Sequence, residues 1–133
     1  MPVFNEADGI HETLSELNYA FKKAKEDAQL FIQDDQSTDN TVEIIAKSAD
    51  ELGMKIWLES NSTNLGHGPT VINAYLRAIK SEAEVVLQLD SDGQFSPSEL
   101  IKLLDSVHCG TELAIGVRKS RVDPWYRLLL AKS

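Results

Sequence analysis

The chain has 133 residues, of which 42% are apolar and 26% are charged, so it fits one soluble globular domain with a modest core. Its formal net charge of −8 argues against general binding to nucleic acid, because the phosphate backbone carries charge of the same sign. The single cysteine, Cys109, excludes an internal disulfide, argues against a zinc site built on cysteine, and fits a reducing cytoplasm.

Apolar spacing along the chain predicts strands that alternate with helices. The predicted strands end at Phe4 or cover 28–32, 55–58, 85–89 and 112–115. The predicted helices carry apolar stripes, namely Ile10, Leu14, Leu17 and Phe21; Val42, Ile45, Ala49 and Leu52; Ile72, Tyr75, Leu76 and Ile79; and Leu100, Leu103, Leu104 and Val107. Gly53 marks the end of the second helix, Ser96 and Glu99 form a capping box before the fourth, and a last helix is predicted over 125–132.

This alternation predicts an α/β fold in which helices flank a parallel sheet with right-handed crossovers. Ligands of such sheets bind beyond the carboxyl ends of the strands. Polar loops fall at those predicted ends, namely 5–6, 34–39, 61–68 and 90–94. Because these loops share one edge of the sheet, we expect the binding site there. The chain has neither a G-x-x-x-x-G-K-S/T loop nor a G-x-G-x-x-G loop, which argues against an ATPase or a dehydrogenase.

The most informative loop follows the predicted strand 85–89. Alternate residues of an extended segment point the same way, so Asp90, Asp92 and Gln94 can converge just past the strand end. Gly93 lets the backbone turn there. Two carboxylates and an amide oxygen suit a hard cation such as Mg²⁺ or Mn²⁺, with water and phosphate oxygens completing its shell. The alternative interpretation is an ordinary surface turn of the D-x-D-G type.

Several short motifs together resemble family 2 glycosyltransferases of the nucleotide-sugar (GT-A) fold. They are Pro2-Val3-Phe4-Asn5-Glu6, Asp34-Asp35-Gln36-Ser37-Thr38-Asp39, Asn64-Leu65-Gly66-His67-Gly68 and Asp90-Ser91-Asp92-Gly93-Gln94. These look like the family's P-V-Y/F-N-E opening, its D-D-G-S-T-D loop with Gln36 in place of glycine, its N-x-G-x-G loop and its D-x-D-x-Q metal motif. Gly116-Val117-Arg118, followed by Arg121 to Arg127, resembles the polyprenyl-phosphate sugar transferase branch.

The resemblance spans the whole chain. It implies a single family 2 domain over residues 1–133, which is the N-terminal, nucleotide-binding portion of a Rossmann-like GT-A fold truncated at both ends. Most of the family's first strand would be missing, and the exposed sheet edges that result predict pairing into a homo-oligomer.

The resemblance also implies the roles of individual residues. Binding of the nucleotide-sugar donor is implied for Pro2, Phe4, Glu6, Asp34, Asp35, Gly66 and Asp90, of which the first five would hold the nucleobase and ribose. Binding of Mg²⁺ or Mn²⁺ is implied for Asp90, Asp92 and Gln94, and catalysis for Asp90, Asp92 and Arg118. Arg121 and Arg127 would serve the acceptor phosphate or the membrane face, and His67 is a candidate contact of a phosphate.

The implied reaction is metal-dependent transfer of a sugar, with inversion, from a UDP- or GDP-sugar to a polyprenyl phosphate of the dolichyl or undecaprenyl type. Such an acceptor is already an anion near pH 7, so it needs no general base. Residues 118–132 carry five basic residues against one acid, which predicts an anion site or contact with an anionic membrane surface. We therefore expect a cytoplasmic protein that is peripheral at the cytoplasmic face of the membrane.

Two alternatives belong to other functional classes. A signalling receiver domain also has a carboxylate pair after one strand, as at Asp34 and Asp35, and a phosphorylated aspartate after another, as at Asp90. That reading leaves the D-x-D-x-Q array unexplained, and no lysine follows the predicted strand end near Ile115. The second alternative is a non-catalytic nucleotide-binding module.

Overall fold

The computed structural model describes residues 1–116, so the predicted helix 125–132 and the three arginines Arg118, Arg121 and Arg127 lie outside the described residues. The elements are β1 (Pro2–Val3), α1 (Ile10–Ala24), β2 (Gln29–Asp34), α2 (Thr41–Leu52), β3 (Lys55–Ser60), α3 (His67–Lys80) and α4 (Pro97–His108). None of the helices within residues 1–116 combines the length and the apolar content needed to cross a bilayer.

The strands form one parallel sheet in the order β1-β2-β3. Pro2 pairs with Gln33, while Gln29 pairs with Lys55 at the start of the longer ladder between β2 and β3. Parallel pairing places the carboxyl ends of all three strands at one edge, so the loops that follow them meet there. The predicted α/β architecture, a parallel sheet flanked by helices, is confirmed.

The main core lies on the face of the sheet to which Leu30 and Ile32 of β2 point. The helical residues buried in this core come from α1, α2 and α4, and include Ile10, Leu14, Leu17, Ile45 and Leu100. Alternate strand residues point to opposite faces, so Phe31 and Gln33 face the other side, where α3 packs. There Arg77 of α3 donates from Nη1 to Gln33 Oε1 at 3.1 Å, and its guanidinium lies 5.7 Å from the centre of the Phe31 ring.

Helix α3 buries a different face from the one that its apolar stripe predicts. Its buried residues are spaced four apart and are Thr70, Ala74 and Ala78. By contrast, Ile72, Leu76 and Ile79 are 59%, 52% and 66% exposed. Small side chains let the helix lie close to the sheet, and Arg77 reaches from that side to the carbonyl of Ile32. The apolar spacing predicts correctly that these residues form a helix. Its prediction of which face of the helix is buried is wrong.

Two predicted strands are also wrong, since neither 85–89 nor 112–115 forms a strand in the described part of the chain. Residues 85–89 line a cavity beside Met1 and Pro2. A strand there needs a ladder of backbone partners, but β1 has two residues and proline has no N–H to donate. Within 112–115, Leu113 is 74% exposed, which does not fit a buried strand of a parallel sheet.

Local signals at two helix ends are confirmed. Gly53 ends α2 with φ of 64°, a left-handed conformation that glycine adopts without steric cost. At the start of α4, Ser96 Oγ accepts the Glu99 N–H at 3.3 Å, and Glu99 Oε2 accepts the Ser96 N–H at 2.9 Å. This capping box fixes the backbone just after the loop that carries Asp90 and Asp92.

Candidate functional site

A cavity of about 370 Å³ opens at the carboxyl edge of the sheet, among the four loops that the sequence places there. The predicted site residues that line it are Pro2, Phe4, Glu6, Asp35, Gly66, Asp90 and Asp92. The other lining residues are Val3, Asn64, His67, Thr70 and Ser91. Asp34 and Gln94 are not part of this lining, and Arg118 lies outside the described residues.

A larger cavity, of about 460 Å³, lies near the amino-terminal end of β2. Its walls include residues 29–31 and 85–89, and Pro2 is the one predicted site residue among them. None of the four polar loops contributes to its lining, so the chemistry belongs to the smaller cavity at the other end of the strands.

Asp35 holds the loop between β3 and α3 against the end of β2. Its Oδ1 accepts hydrogen bonds from the Leu65 N–H at 2.7 Å and from Asn61 Nδ2 at 2.8 Å, and its Oδ2 accepts one from the Gly66 N–H at 2.8 Å. Burial by itself would raise the pKa of Asp35, but these hydrogen bonds, the one from Leu65 foremost, hold that pKa below its ordinary value. The ionised carboxylate therefore acts as the acceptor around which residues 61–66 fold.

Asp34, the other member of the predicted carboxylate pair, is turned away from the cavity. It is 1% exposed, and its two oxygens accept the Ser37 N–H at 3.2 and 3.3 Å. The structure therefore does not bring Asp34 to the position of a nucleotide contact, because its carboxylate closes the turn that follows β2.

The loop after β1 is tied to the loop after β2 by hydrogen bonds in both directions. The Asn5 N–H donates to Ser37 Oγ at 2.9 Å, and Asn5 Oδ1 accepts the Thr38 N–H at 2.8 Å. The Glu6 N–H donates to Thr41 Oγ1 at 2.8 Å. These bonds fix the backbone on either side of Phe4, whose side chain remains 45% exposed on the cavity wall.

The loop that carries Asp90 and Asp92 is anchored through the residue between them. Ser91 is buried, whereas Asp90 and Asp92 are exposed and line the cavity. Asp90 Oδ1 accepts a hydrogen bond from Gln88 Nε2 at 3.2 Å and lies 3.8 Å from His67 Nε2. Asp92 Oδ1 accepts the Gln94 N–H at 3.1 Å, which closes the turn.

The chemistry of these donors fits a hard divalent cation that is shared with a bound diphosphate. Asp90 and Asp92 supply carboxylate oxygens to one open cavity, and Mg²⁺ is commonly held by one or two carboxylates together with substrate phosphates. Within residues 1–116 no group of three or more His, Cys, Asp or Glu side chains is arranged to enclose a metal by itself. Gln94 is exposed and is not among the residues that line this cavity.

The first turn of α3 also lies at the cavity, through Gly66, His67 and Thr70. Gly66 precedes the helix with φ of 85°, and no side chain caps the helix N-terminus. The unpaired N–H groups and the helix dipole favour an anion at such an end. The cavity therefore combines two exposed carboxylates with a helix end that attracts negative charge.

The sequence model of the family described as Glycosyl transferase family 2 matches residues 1–132. The chain belongs to glycosyltransferase family 2. A similar protein, polyprenol monophosphomannose synthase of Mycolicibacterium smegmatis, is 28% identical over 142 residues, which cover 100% of this chain and 51% of the relative. Undecaprenyl-phosphate 4-deoxy-4-formamido-L-arabinose transferases of Edwardsiella ictaluri and Pseudomonas fluorescens are 25% and 26% identical over 127 residues, which cover 96% of this chain and 38% and 36% of those proteins. The chain thus spans about half or less of the length of these curated relatives.

Membership of glycosyltransferase family 2 confirms the family that the short motifs indicated. It also confirms the interpretation of the parallel sheet and its helices as part of a Rossmann-like GT-A fold. The family match argues against the receiver-domain alternative, which shares with this chain only a carboxylate pair and one further aspartate.

Some residues that build this family 2 site were missed in the sequence. Thr13 donates to the Ser91 carbonyl at 3.2 Å, and Asn61 links Asp35 to Gln33. Thr13 falls on the same side of α1 as Ile10 and Leu14, so a polar residue on a buried helical face was the available signal. Asn61 carries no comparable signal, because its role depends on how β2 and β3 pair.

Proposed function

We propose that the protein is the nucleotide-binding portion of a glycosyltransferase that moves a sugar from a nucleoside diphosphate donor to a phosphate acceptor with the help of a divalent cation. The observation that carries the proposal is the placement of Asp90 and Asp92 on one cavity with the first turn of α3. Two carboxylates alone would repel a diphosphate, whereas the helix end would attract it. A cation bound between the carboxylates and the diphosphate would remove this repulsion, so that both groups could occupy the cavity.

We assign the donor nucleotide an orientation in this cavity from the residues that line it. Phe4 presents an exposed aromatic ring, which suits the face of a nucleobase. Glu6 lines the same wall and is assigned to accept hydrogen bonds from ribose hydroxyls. Pro2 contributes apolar surface, while Gly66 brings the start of α3 close to the diphosphate.

Asp90 and Asp92 would hold Mg²⁺ or Mn²⁺, with Gln94 as the predicted third donor. When bound, the cation acts as a Lewis acid that stabilises the negative charge of the departing nucleoside diphosphate. His67, whose Nε2 lies 3.8 Å from Asp90 Oδ1, would contact the same phosphates. Arg118 is assigned on the resemblance alone to add a bidentate phosphate contact, for which guanidinium geometry is suited.

A polyprenyl phosphate is the acceptor that the relatives' names support, since these refer to polyprenol monophosphomannose and to undecaprenyl-phosphate. In this reaction an acceptor phosphate oxygen bonds to the anomeric carbon while the bond from that carbon to the donor diphosphate breaks. Attack from the opposite side inverts the configuration. The acceptor phosphate has a second pKa of about 6, so it is already anionic at pH 7 and no side chain needs to remove a proton.

A polyprenyl phosphate acceptor also implies that the protein acts at a membrane surface. A polyprenyl chain stays in the bilayer, so the cavity must approach the membrane surface. We assign Arg121 and Arg127 to the acceptor phosphate or to anionic lipid headgroups, because each basic residue near such a surface contributes about 1 kcal/mol. The protein would then be peripheral at the cytoplasmic face and supply lipid-linked sugar for the cell envelope.

Calorimetric titration of the full chain with UDP and with GDP, in Mn²⁺ and in EDTA, tests the proposal. We expect one nucleotide to bind, with a Kd that is lower in Mn²⁺. Asp92→Ala should abolish the difference between Mn²⁺ and EDTA. Asp50→Ala, which removes the same charge at an exposed position on α2, should leave that difference unchanged.

Other outcomes would contradict the transferase. Binding with equal Kd in Mn²⁺ and EDTA would support the non-catalytic nucleotide-binding module instead. Absence of binding to either nucleotide, combined with phosphorylation of Asp90 by acetyl phosphate, would support the receiver domain.

A further inference from the structure

Ser91 occupies an unusual position between the two exposed carboxylates. It is 8% exposed, although Asp90 and Asp92 on either side are open to solvent. Ser91 lies in the bend between the two carboxylates, so it shares a peptide bond with each of them. The way Ser91 is held therefore sets the direction in which both carboxylates leave the backbone.

Two hydrogen bonds connect Ser91 to residues from the start of the chain, Thr13 and Glu6. Its carbonyl oxygen accepts Thr13 Oγ1–H at 3.2 Å, and its own hydroxyl donates to Glu6 Oε1 at 3.2 Å. Thr13 is 3% exposed on α1, a helix whose neighbouring buried residues are apolar. The loop is thus bonded to α1, whose apolar residues form part of the core.

The hydroxyl of Thr13 does not bond within its own helix, unlike three other hydroxyls in the described helices. Ser15, Thr70 and Ser106 each donate to the carbonyl four residues earlier, at 2.8, 2.8 and 2.9 Å. Such back-bonding is the usual choice for a hydroxyl within a helix. Thr13 instead reaches a carbonyl that is 78 residues away in sequence.

The turn after Ser91 also closes onto Thr13. Gly93 has φ of 65°, and a Cβ built on it would lie 3.3 Å from Thr13 Oγ1. The backbone on both sides of Asp92 is therefore packed against the same hydroxyl.

We propose that Thr13 is a positioning residue for the divalent-cation site, because through Ser91 it fixes the directions of Asp90 and Asp92. The inference rests on the proposed function, in which those two carboxylates hold the cation. Groups that orient metal ligands without touching the metal commonly affect metal affinity about 10- to 100-fold. Thr13 makes no contact with the cavity itself, since it is absent from the cavity lining.

The test compares Thr13→Val, which is nearly the same size, with Thr13→Ser, which keeps the hydroxyl. Calorimetry on the full chain gives the Kd of the nucleotide that the wild type binds, in Mn²⁺ and in EDTA. We expect Thr13→Val to raise the Kd in Mn²⁺ about tenfold and to leave the Kd in EDTA within about twofold. Thr13→Ser should restore the wild-type Kd in Mn²⁺.

Ser48→Ala is the matched control, because Ser48 is 1% exposed and its hydroxyl bonds to His11 Nδ1 at 2.9 Å, away from the cavity. It should lower thermal stability without changing either Kd. If Thr13→Val does not fold, Thr13→Ala, which also removes the hydroxyl, should produce the same selective loss in Mn²⁺.

The outcomes separate this inference from the proposed function. Equal effects of Thr13→Val on both Kd values, or no effect on either, would overturn the positioning role while leaving the nucleotide site standing. A wild-type protein whose nucleotide Kd does not depend on Mn²⁺ would instead overturn the proposed function and the positioning role with it.

Discussion

Replacing Asp35 with asparagine should loosen the loop between β3 and α3. The carboxylate accepts three hydrogen bonds, two at Oδ1 and one at Oδ2. Each bond to a charged acceptor contributes about 2 kcal/mol, and each neutral bond about 1 kcal/mol. Asparagine can keep the two bonds at its oxygen, but its amide nitrogen then faces the Gly66 N–H. The contribution of these hydrogen bonds to stability would fall from about 6 to about 2 kcal/mol, so we expect the free energy of unfolding to decrease by about 4 kcal/mol.

Chemical denaturation of wild type and Asp35→Asn measures this loss, and hydrogen exchange locates it. The amide protons of Leu65 and Gly66 should exchange faster in the variant, because they lose or weaken their acceptor. Asp27→Asn is the control, since the Asp27 side chain is 85% exposed and its ion pair with Lys55 should contribute at most about 1 kcal/mol. A change below about 1 kcal/mol in Asp35→Asn, with exchange at Leu65 and Gly66 unaltered, would refute this account of the loop.

The same carboxylate predicts a dependence on pH. The pKa of Asp35 is lower in the folded protein than its ordinary value of 3.8. Its stabilising contribution is therefore complete above that value and is lost as the pH falls through the lower, folded pKa. The free energies of unfolding of wild type and Asp35→Asn should converge below about pH 4.

Two further substitutions test the backbone around the site. Gly93→Ala places a Cβ at φ of 65° and 3.3 Å from Thr13 Oγ1. It should lower the free energy of unfolding by about 1 to 2 kcal/mol and weaken Mn²⁺-dependent nucleotide binding. Unchanged stability would contradict the described turn. Ser96→Ala removes the acceptor of the Glu99 N–H and should cost about 1 kcal/mol in urea denaturation, whereas Ser96→Thr should cost much less; equal losses would argue against the capping box.

Apolar spacing predicts burial well where other elements cover the predicted face. Ile10, Leu14 and Leu17 are fully buried because α2 and α4 pack against α1, and these helices share one core with the apolar face of β2. The same spacing fails on α3, where Ala74 and Ala78 pack inward and larger residues remain exposed. A periodic pattern identifies a helix, but it does not say which of its sides meets the sheet.

The location of the site was predictable because it depends on topology. Parallel strands bring their following loops together, so Asp35 and Gly66 meet on one cavity as expected. Asp90 lines the same cavity although the segment before it is not a strand. The internal bonds of those loops were not predictable. Whether a carboxylate such as Asp34 faces the cavity or the backbone depends on the turn it closes. That residues 85–89 have no strand to pair with becomes visible only in the folded sheet.

The bonds that assemble the site join parts of the chain that are far apart in sequence. Asn5 meets Thr38 at a separation of 33 residues, Leu65 meets Asp35 at 30, and Ser91 meets Glu6 at 85. No short peptide from this protein should therefore recognise a nucleotide, since binding competence and folding must appear in a single cooperative step. By mass action, a ligand at 100 times its Kd would add about 2.7 kcal/mol of stability, so a rise in melting temperature offers a simple screen for the true donor.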